Sequence, residues 1–92
     1  MANYRWFEEF RLTLEERGDI CITEIDYNRK IVTLAFTKYP VCHAWLYVQT
    51  DPIRILACNQ TNCVAKHIPN AYLDITVEEV LEATLKEVKK VA

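Results

Sequence analysis

The chain has 92 residues, of which 51% are hydrophobic and one is glycine, and its formal net charge is −2. This composition excludes disordered, collagen-like and low-complexity chains, and the single glycine excludes the glycine-rich loops that bind phosphates. Because a folded chain of this length buries only about 60 to 65% of the surface of its unfolded form, we expect some apolar surface to remain outside the core.

The charge pattern bears on compartment and partners. Lysines and arginines are scattered along the chain, which disfavours general binding to nucleic acid phosphates. Arg5, Glu8 and Glu9 interrupt the start of the chain, where a secretory signal needs an unbroken apolar stretch, and no apolar run approaches the roughly 18 residues of a membrane span. We therefore expect a single α+β domain, residues 1–92, that is cytoplasmic and has no membrane partner.

The N-terminal segment has the periodicity of an amphipathic helix over residues 4–17. Its apolar face is formed by Trp6, Phe7, Phe10 and Leu14. Asn3 is the expected N-cap, and Gly18 stands where a left-handed C-terminal cap is expected.

A second helix is predicted at the C-terminal end. Thr76-Val77-Glu78-Glu79 matches a capping box, in which the threonine and a glutamate three residues later satisfy free backbone amides. One apolar stripe follows, formed by Val77, Val80, Leu81, Thr84, Leu85, Val88 and Val91. Acidic residues begin this helix and lysines end it, which suits the helix dipole.

Between the helices, apolar residues alternate with a period of two, which indicates strands. Four strands are predicted, at residues 20–27, 30–38, 41–50 and 53–58. The turns between them are predicted at Asn28-Arg29, Tyr39-Pro40 and Asp51-Pro52. Residues 59–75 are less regular and contain a possible short fifth strand at 71–75. The order α-β-β-β-β-α predicts an α+β fold in which N- and C-terminal helices flank a four-stranded antiparallel meander sheet.

Two-residue turns give the two faces of this sheet. The predicted core face carries Cys21, Thr23, Ile25, Val32, Leu34, Phe36, Cys42, Ala44, Leu46, Val48, Ile53, Ile55 and Ala57. The opposite, outer face carries Ile20, Ile22, Glu24, Asp26, Ile31, Thr33, Ala35, Val41, His43, Trp45, Tyr47, Gln49, Arg54, Leu56 and Cys58. This register aligns Ile22, Ala35, Trp45 and Cys58 across the sheet.

The outer face is unusually apolar for a face in contact with water. Its candidate binding residues are Ile22, Ala35, His43, Trp45, Tyr47 and Leu56. Three explanations are open: a helix or the loop 59–75 covers the face as a second core layer, the face binds a second copy or another protein, or it forms a small-ligand pocket.

Four cysteines and two histidines raise the alternative of a metal or redox site. Cys58-x4-Cys63-x3-His67 has loose ligand spacing, and His43 falls near Cys58 on the outer face, so a zinc tetrad of His43, Cys58, Cys63 and His67 is conceivable. The cysteines also suit a role as small buried hydrophobes, and Cys58 with Cys63 could form a disulfide. We expect no cofactor, with zinc as the alternative.

The order of elements resembles two families. The α-β-β-β-α order resembles double-stranded RNA-binding domains, although here the last helix begins Val77-Glu78-Glu79 where those domains have a basic cluster, and the first loop is Asn28-Arg29 without a histidine. The acidity and the apolar sheet face resemble small dimeric chaperones of bacterial secretion systems, without the helix that those proteins place mid-sheet. These resemblances concern topology and imply no catalytic residues.

The sequence therefore predicts a non-enzymatic protein that associates with proteins, as a homodimer or with another partner, through the face around Trp45 and Tyr47. A zinc-binding or redox protein is the alternative. Nucleic-acid binding requires Arg29, Lys30, Lys38 and Arg54 to converge.

Overall fold

Two helices and five strands form the part of the chain described by the structure, a computed structural model covering residues 4–48, 53–68 and 76–92, with side chains from residue 8 onward. The elements are α1 Tyr4–Glu15, β1 Ile20–Asp26, β2 Ile31–Phe36, β3 Tyr39–Tyr47, β4 Ile53–Cys58, β5 Cys63–Ile68 and α2 Val77–Val91. The strands form one antiparallel sheet in the order β1-β2-β3-β4-β5. The predicted α+β meander with terminal helices is confirmed, but the sheet has five strands rather than four.

The additional strand, β5, comes from the segment that the sequence pattern leaves unassigned. Only Val64 and Ile68 are half-buried against the core, and the intervening Lys66 is exposed. An edge strand with so few buried positions has a weak alternating pattern. The short strand predicted at 71–75 lies outside the described residues.

The polar run between β4 and β5 is a hairpin loop built on Asn59. The side-chain oxygen of Asn59 accepts hydrogen bonds from the backbone amides of Thr61 and Asn62, at 2.8 and 2.7 Å. Its side-chain nitrogen donates to the Val91 carbonyl. One asparagine thus forms the turn, as its side chain commonly does, and links it to the end of α2.

Apolar side chains of both helices pack on one face of the sheet, and those of Trp6 and Phe7 lie outside the described side chains. Phe10 and Leu14 of α1 are buried, as predicted, and belong to the same core cluster as the strand residues. The buried strand residues are Ile20, Val32, Leu34, Phe36, Cys42, Ala44, Leu46, Val48, Ile53, Ile55 and Ala57. From β2 to β4, therefore, the predicted core face is confirmed at every position.

The predicted cap of α2 is confirmed and that of α1 is wrong. The Thr76 hydroxyl accepts a hydrogen bond from the Glu79 amide at 3.2 Å. In contrast, α1 ends at Glu15 rather than at residue 17, and Gly18 does not have a positive φ. The Arg17 amide instead donates to the Leu14 carbonyl at 3.1 Å, so the chain leaves α1 through this turn without a left-handed residue. Asn3 lies outside the described residues.

Strand β1 departs from the predicted register at one point. Ile25 pairs with Val32 as predicted, but a β-bulge between Ile22 and Glu24 shifts the pairing, so that Ile22 lies opposite Leu34 and Ile20 opposite Phe36. One extra residue reverses the sides taken by the residues before the bulge relative to those after it. Ile25, after the bulge, keeps its predicted side, so Ile20 and Ile22, before it, face the core. Cys21 and Thr23, predicted to be buried there, are exposed.

Two predicted turns also differ from the observed connections. The β1–β2 connection spans residues 27–30 rather than Asn28-Arg29 alone, and its positive φ is at Lys30. The Asp26 carboxylate accepts hydrogen bonds from the Asn28 and Arg29 amides, which stabilises the longer turn. Strand β3 begins at Tyr39, so Tyr39-Pro40 belongs to that strand. Asp51-Pro52 lies outside the described residues.

We predict that Asp19 stabilises the junction between α1 and β1 in a pH-dependent manner. Arg17 donates to both Asp19 carboxylate oxygens, at 2.9 and 2.7 Å, and this holds the pKa of Asp19 below its ordinary value. The contribution is present above the ordinary pKa of aspartate and is lost as the pH falls through the lowered pKa. Asp19→Asn should lower the free energy of unfolding by about 1 kcal/mol or less near neutral pH, discounted for solvent exposure.

The measurement is thermal unfolding of wild type and Asp19→Asn at neutral pH and at about pH 2, below the ordinary aspartate pKa. Glu16→Gln, at an exposed position of the same connection, is the control for loss of one carboxylate. A difference between wild type and Asp19→Asn that is equal at both pH values would contradict the prediction.

Candidate interaction surface

The outer face of the sheet consists of three rows of cross-strand neighbours. The first row is Cys21, Ala35, His43, Cys58 and Cys63. The second row is Glu24, Thr33, Trp45, Leu56 and Ala65. The third row is Asp26, Ile31, Tyr47, Arg54 and His67. These three rows define the outer face below.

Neither helix covers the outer face in the part of the chain that the structure describes. Phe10 and Leu14 of α1 and the apolar stripe of α2 belong to the core cluster on the other side of the sheet. Residues 63–68, part of the loop considered as a cover, form β5 within the sheet, and 69–75 lie outside the described residues. Among the described residues, therefore, no helix forms a second core layer on this face.

Trp45 lies at the centre of the outer face. It pairs with Thr33 on one side and Leu56 on the other, and the ring of His43 lies 6.3 Å from its ring, centroid to centroid. The three side chains Trp45, Thr33 and Leu56 are only half-buried, whereas Leu46, the next residue of β3, is fully buried. Trp45 thus presents a large apolar surface to whatever contacts this face.

Tyr47 and Arg54 form a second aromatic feature beside Trp45. The two residues are cross-strand neighbours, and the guanidinium carbon of Arg54 lies 4.3 Å from the centroid of the Tyr47 ring. This cation–π geometry restricts the arginine side chain. A side chain that is already held loses less conformational entropy when it binds a partner.

The charges of the outer face are segregated. Glu24 and Asp26 lie on β1, at one edge, while Arg54 and His67 lie on β4 and β5 at the other. The face thus has an acidic side, an apolar and aromatic centre, and an opposite side that carries the cationic Arg54.

A shallow depression lies on the acidic half of the face. Its volume is about 200 Å³, smaller than the roughly 300 Å³ at which ligand pockets begin. Its lining consists of Glu24, Asp26, Ile31, Thr33, Trp45 and Tyr47. The shape suits contact with a protein surface better than enclosure of a small ligand.

A larger groove of about 750 Å³ lies away from the outer face, next to α2. Its lining consists of Lys66, Glu82, Ala83, Leu85, Lys86, Glu87, Lys89 and Lys90. Charges pair locally here, as between Lys90 and the buried Glu87 at 3.0 Å. No aromatic side chain among the described residues lines the groove, whereas aromatic side chains are enriched at protein interfaces.

Cys58 and Cys63 form a disulfide across the β4–β5 hairpin, one of the possibilities left open by the sequence. The Asn59 amide donates to the Asn62 carbonyl at 2.8 Å, so Cys58 and Cys63 occupy the next pair of the ladder. Alternate antiparallel pairs have Cα atoms close together, and here the separation is 4.1 Å. Cys21 and Cys42 are free, the first exposed and the second buried.

The structure brings together three of the four predicted zinc ligands. His43 is the direct cross-strand neighbour of Cys58, which is bonded to Cys63, but His67 lies in the third row opposite Arg54. Within residues 4–48, 53–68 and 76–92, no group of three or more histidine, cysteine or acidic side chains is arranged to hold a metal.

Most predicted binding residues lie on the outer face, and one does not. Ala35, His43, Trp45, Tyr47 and Leu56 occupy its three rows. The prediction for Ile22 is wrong, because the bulge in β1 places it opposite Leu34 on the core side. Trp45 pairs with Thr33 and Leu56 rather than with Ala35 and Cys58, a shift of two residues that leaves it on the same face.

Two features of the outer face were not predicted from the sequence. The register brings Arg54 against Tyr47, and β5 adds Ala65 and His67 to the face. Both features depend on the exact register between strands that follow one another in the sequence, and no local pattern signals that register. The basic cluster required for nucleic-acid binding is not assembled, since Lys38 follows β2 at the opposite end from Lys30.

Comparison with known proteins finds no family model, curated protein or solved structure that matches this chain. No helix among the described residues is long and apolar enough to cross a membrane.

We predict that Trp45 contributes little to folding, unlike its buried neighbour. Trp45→Ala should lower the free energy of unfolding by about 1 kcal/mol, because Trp45 is only half-buried and the contacts that it loses are with neighbours on the same face of the sheet. Leu46→Ala, in the same strand, should lower it by about 3 kcal/mol through loss of burial and creation of a cavity. Denaturant unfolding at low protein concentration measures both, and a larger loss for Trp45→Ala than for Leu46→Ala would show that the outer face is a core layer.

We also predict the accessibility of the four cysteines. A maleimide should label one thiol, Cys21, in the native protein, because Cys42 is 1% exposed and the other two are bonded. Denaturation without reductant should expose a second thiol, and reduction all four. Zinc determined on the same sample tests the alternative site: about one zinc per chain with four free thiols would contradict the disulfide.

Proposed function

We propose that this protein is a non-enzymatic protein-association module that binds through the outer face of its sheet. The observation that carries the proposal is that Trp45, Tyr47 and Leu56 lie side by side on a face that neither α1 nor α2 covers. Contiguous apolar surface of this kind marks interaction sites on soluble proteins.

The residue types on the face support this proposal. Tryptophan, tyrosine and arginine are the side chains most enriched among those that dominate binding energy, and Trp45, Tyr47 and Arg54 are neighbours here. Val41, which precedes His43 on the same strand face, is 52% exposed and extends the apolar area.

The proposal that the protein lacks catalytic activity rests on the placement of its thiols. Cys42 is buried in the core, whereas the adjacent His43 is exposed on the outer face. A base on the opposite side of a sheet cannot activate that thiol, since nucleophile and base must lie within hydrogen-bond reach.

We also propose that the protein is cytoplasmic. In that case the Cys58–Cys63 disulfide is of the kind seen in intracellular proteins of hyperthermophiles.

Site-specific photo-crosslinking tests the proposal without assuming which protein binds. A photoreactive amino acid in place of Tyr47 should give a covalent adduct of defined mass in extracts of the native cells, and Trp45→Ala in the same chain should reduce it about tenfold or more. Mass spectrometry of the adduct then distinguishes a second copy from another protein.

The matched control is the same photoreactive residue in place of Leu12, which is 57% exposed on α1 and apolar. It should give no adduct of that mass. Equal adducts from both positions, or a Tyr47 adduct indifferent to Trp45→Ala, would contradict the proposed surface.

A further inference from the structure

The segregated charges of the outer face make it complementary to itself. Its carboxylates, on Glu24 and Asp26, are confined to edge strand β1, and Arg54 and His67 lie on the last two strands. Between them, Trp45 on β3 lies on the middle strand of the five. If a second copy is turned over about an axis parallel to the strands, its acidic side therefore lies over the Arg54 side of the first copy.

Two-fold symmetry allows two ways to stack this face on a copy of itself. Both axes lie in the plane between the two sheets. An axis in this plane that runs perpendicular to the strands places β1 over β1 of the partner, so that the acidic edges meet. An axis parallel to β3 places β1 over β5 of the partner, so that the Glu24 side faces the Arg54 side twice. Like charges brought together at an interface cost several kcal/mol, and the second arrangement avoids this cost.

The two edges of the sheet are poorly suited to the other simple dimer, in which strands pair edge to edge. Strand β1 carries a bulge between Ile22 and Glu24, and β5 carries the exposed Lys66. Bulges and edge lysines are devices that prevent strand addition. Stacking of faces remains the route by which this sheet can bury its aromatic side chains against a copy.

The area of the face sets the strength of such a dimer. Five strands of about six residues cover roughly 24 by 20 Å, or about 500 Å² per protomer. This lies below the roughly 800 Å² per partner of a standard interface. Interfaces below the standard size are typical of weak, transient complexes, so we expect this dimer to be weak.

We propose that a second copy of this chain covers the outer face, with the two sheets stacked about a two-fold axis parallel to β3 and β1 of each protomer over β5 of the other. This inference rests on the proposed function and names its partner. The sheets are about 10 Å apart and their strands cross at about 30°, as in aligned β-sandwiches. Trp45 lies at the centre, beside its counterpart from the partner.

Charge reversal tests the arrangement. Glu24→Arg and Arg54→Glu each place two pairs of like charges in the dimer, and each should raise the dissociation constant at least tenfold. An equimolar mixture of the two variants regains both attractive pairs as a heterodimer, and the double variant Glu24→Arg/Arg54→Glu regains them as a homodimer. Sedimentation velocity over about 1 μM to 1 mM, a range that spans the expected strength, measures all five samples including wild type.

Glu16→Arg and Lys86→Glu are the matched controls, because Glu16 is exposed in the connection after α1 and Lys86 is exposed on α2, so that they make the same charge changes away from the outer face. They should dimerise like wild type, and circular dichroism should show that every variant remains folded.

Each outcome decides the inference. Weakened single variants with recovery in the mixture and in the double variant support it. Wild type that stays monomeric to 1 mM overturns it, and the crosslinking experiment then shows whether the face binds another protein. Wild type that dimerises but is indifferent to charge reversal overturns the arrangement, and the crosslinking experiment with Trp45→Ala then tests the proposed association function separately.

Discussion

Burial of one side of the sheet is the interaction on which the remaining structure depends. Phe10 and Leu14 of α1 and the stripe of α2 pack on the inner face, where residues such as Leu46 and Ile55 are fully buried. Each such side chain contributes about 1.5 to 3 kcal/mol on burial, against a conformational entropy cost of comparable total size. Both helices are needed on this side, since five strands are wider than one helix, so neither is available for the outer face.

Because both helices pack on the inner face, the apolar and aromatic residues of the outer face are not covered by them. In our proposal these residues give the face its function. A sheet with one wet face normally alternates apolar and polar residues, yet β3 carries Trp45 and Tyr47 outward as well as Ala44 and Leu46 inward. An apolar patch that is left open to solvent promotes aggregation unless a partner binds to it. The acidic residues at one edge and Arg54 near the other restrict how a partner can be oriented, which is the usual contribution of charge to specificity.

Local patterns predicted the elements whose signals lie within a few residues. The capping box at Thr76, the stripe of α2 and the bounds of β4 are all local, and each was predicted correctly. The bulge in β1 and the pairing of β5 are different in kind. Ile20 and Ile22 face the core because they pair with Phe36 and Leu34, which are core residues. Strand β5 forms by pairing with the edge of β4. Neither partner strand is visible in the segment that pairs with it.

The sequence by itself determined that 51% of the residues are hydrophobic, and that Trp45, Tyr47 and Leu56 share one side of a sheet. Period-two alternation is a property of the chain, and an even shift in pairing does not change it. Only the tertiary structure decided that both helices choose the other side, that Arg54 lies against the Tyr47 ring, and that Cys58 meets Cys63. The side chosen by the helices depends on the packing of the whole chain. The two cross-strand contacts depend on the exact register of neighbouring strands, which the alternating pattern alone does not fix.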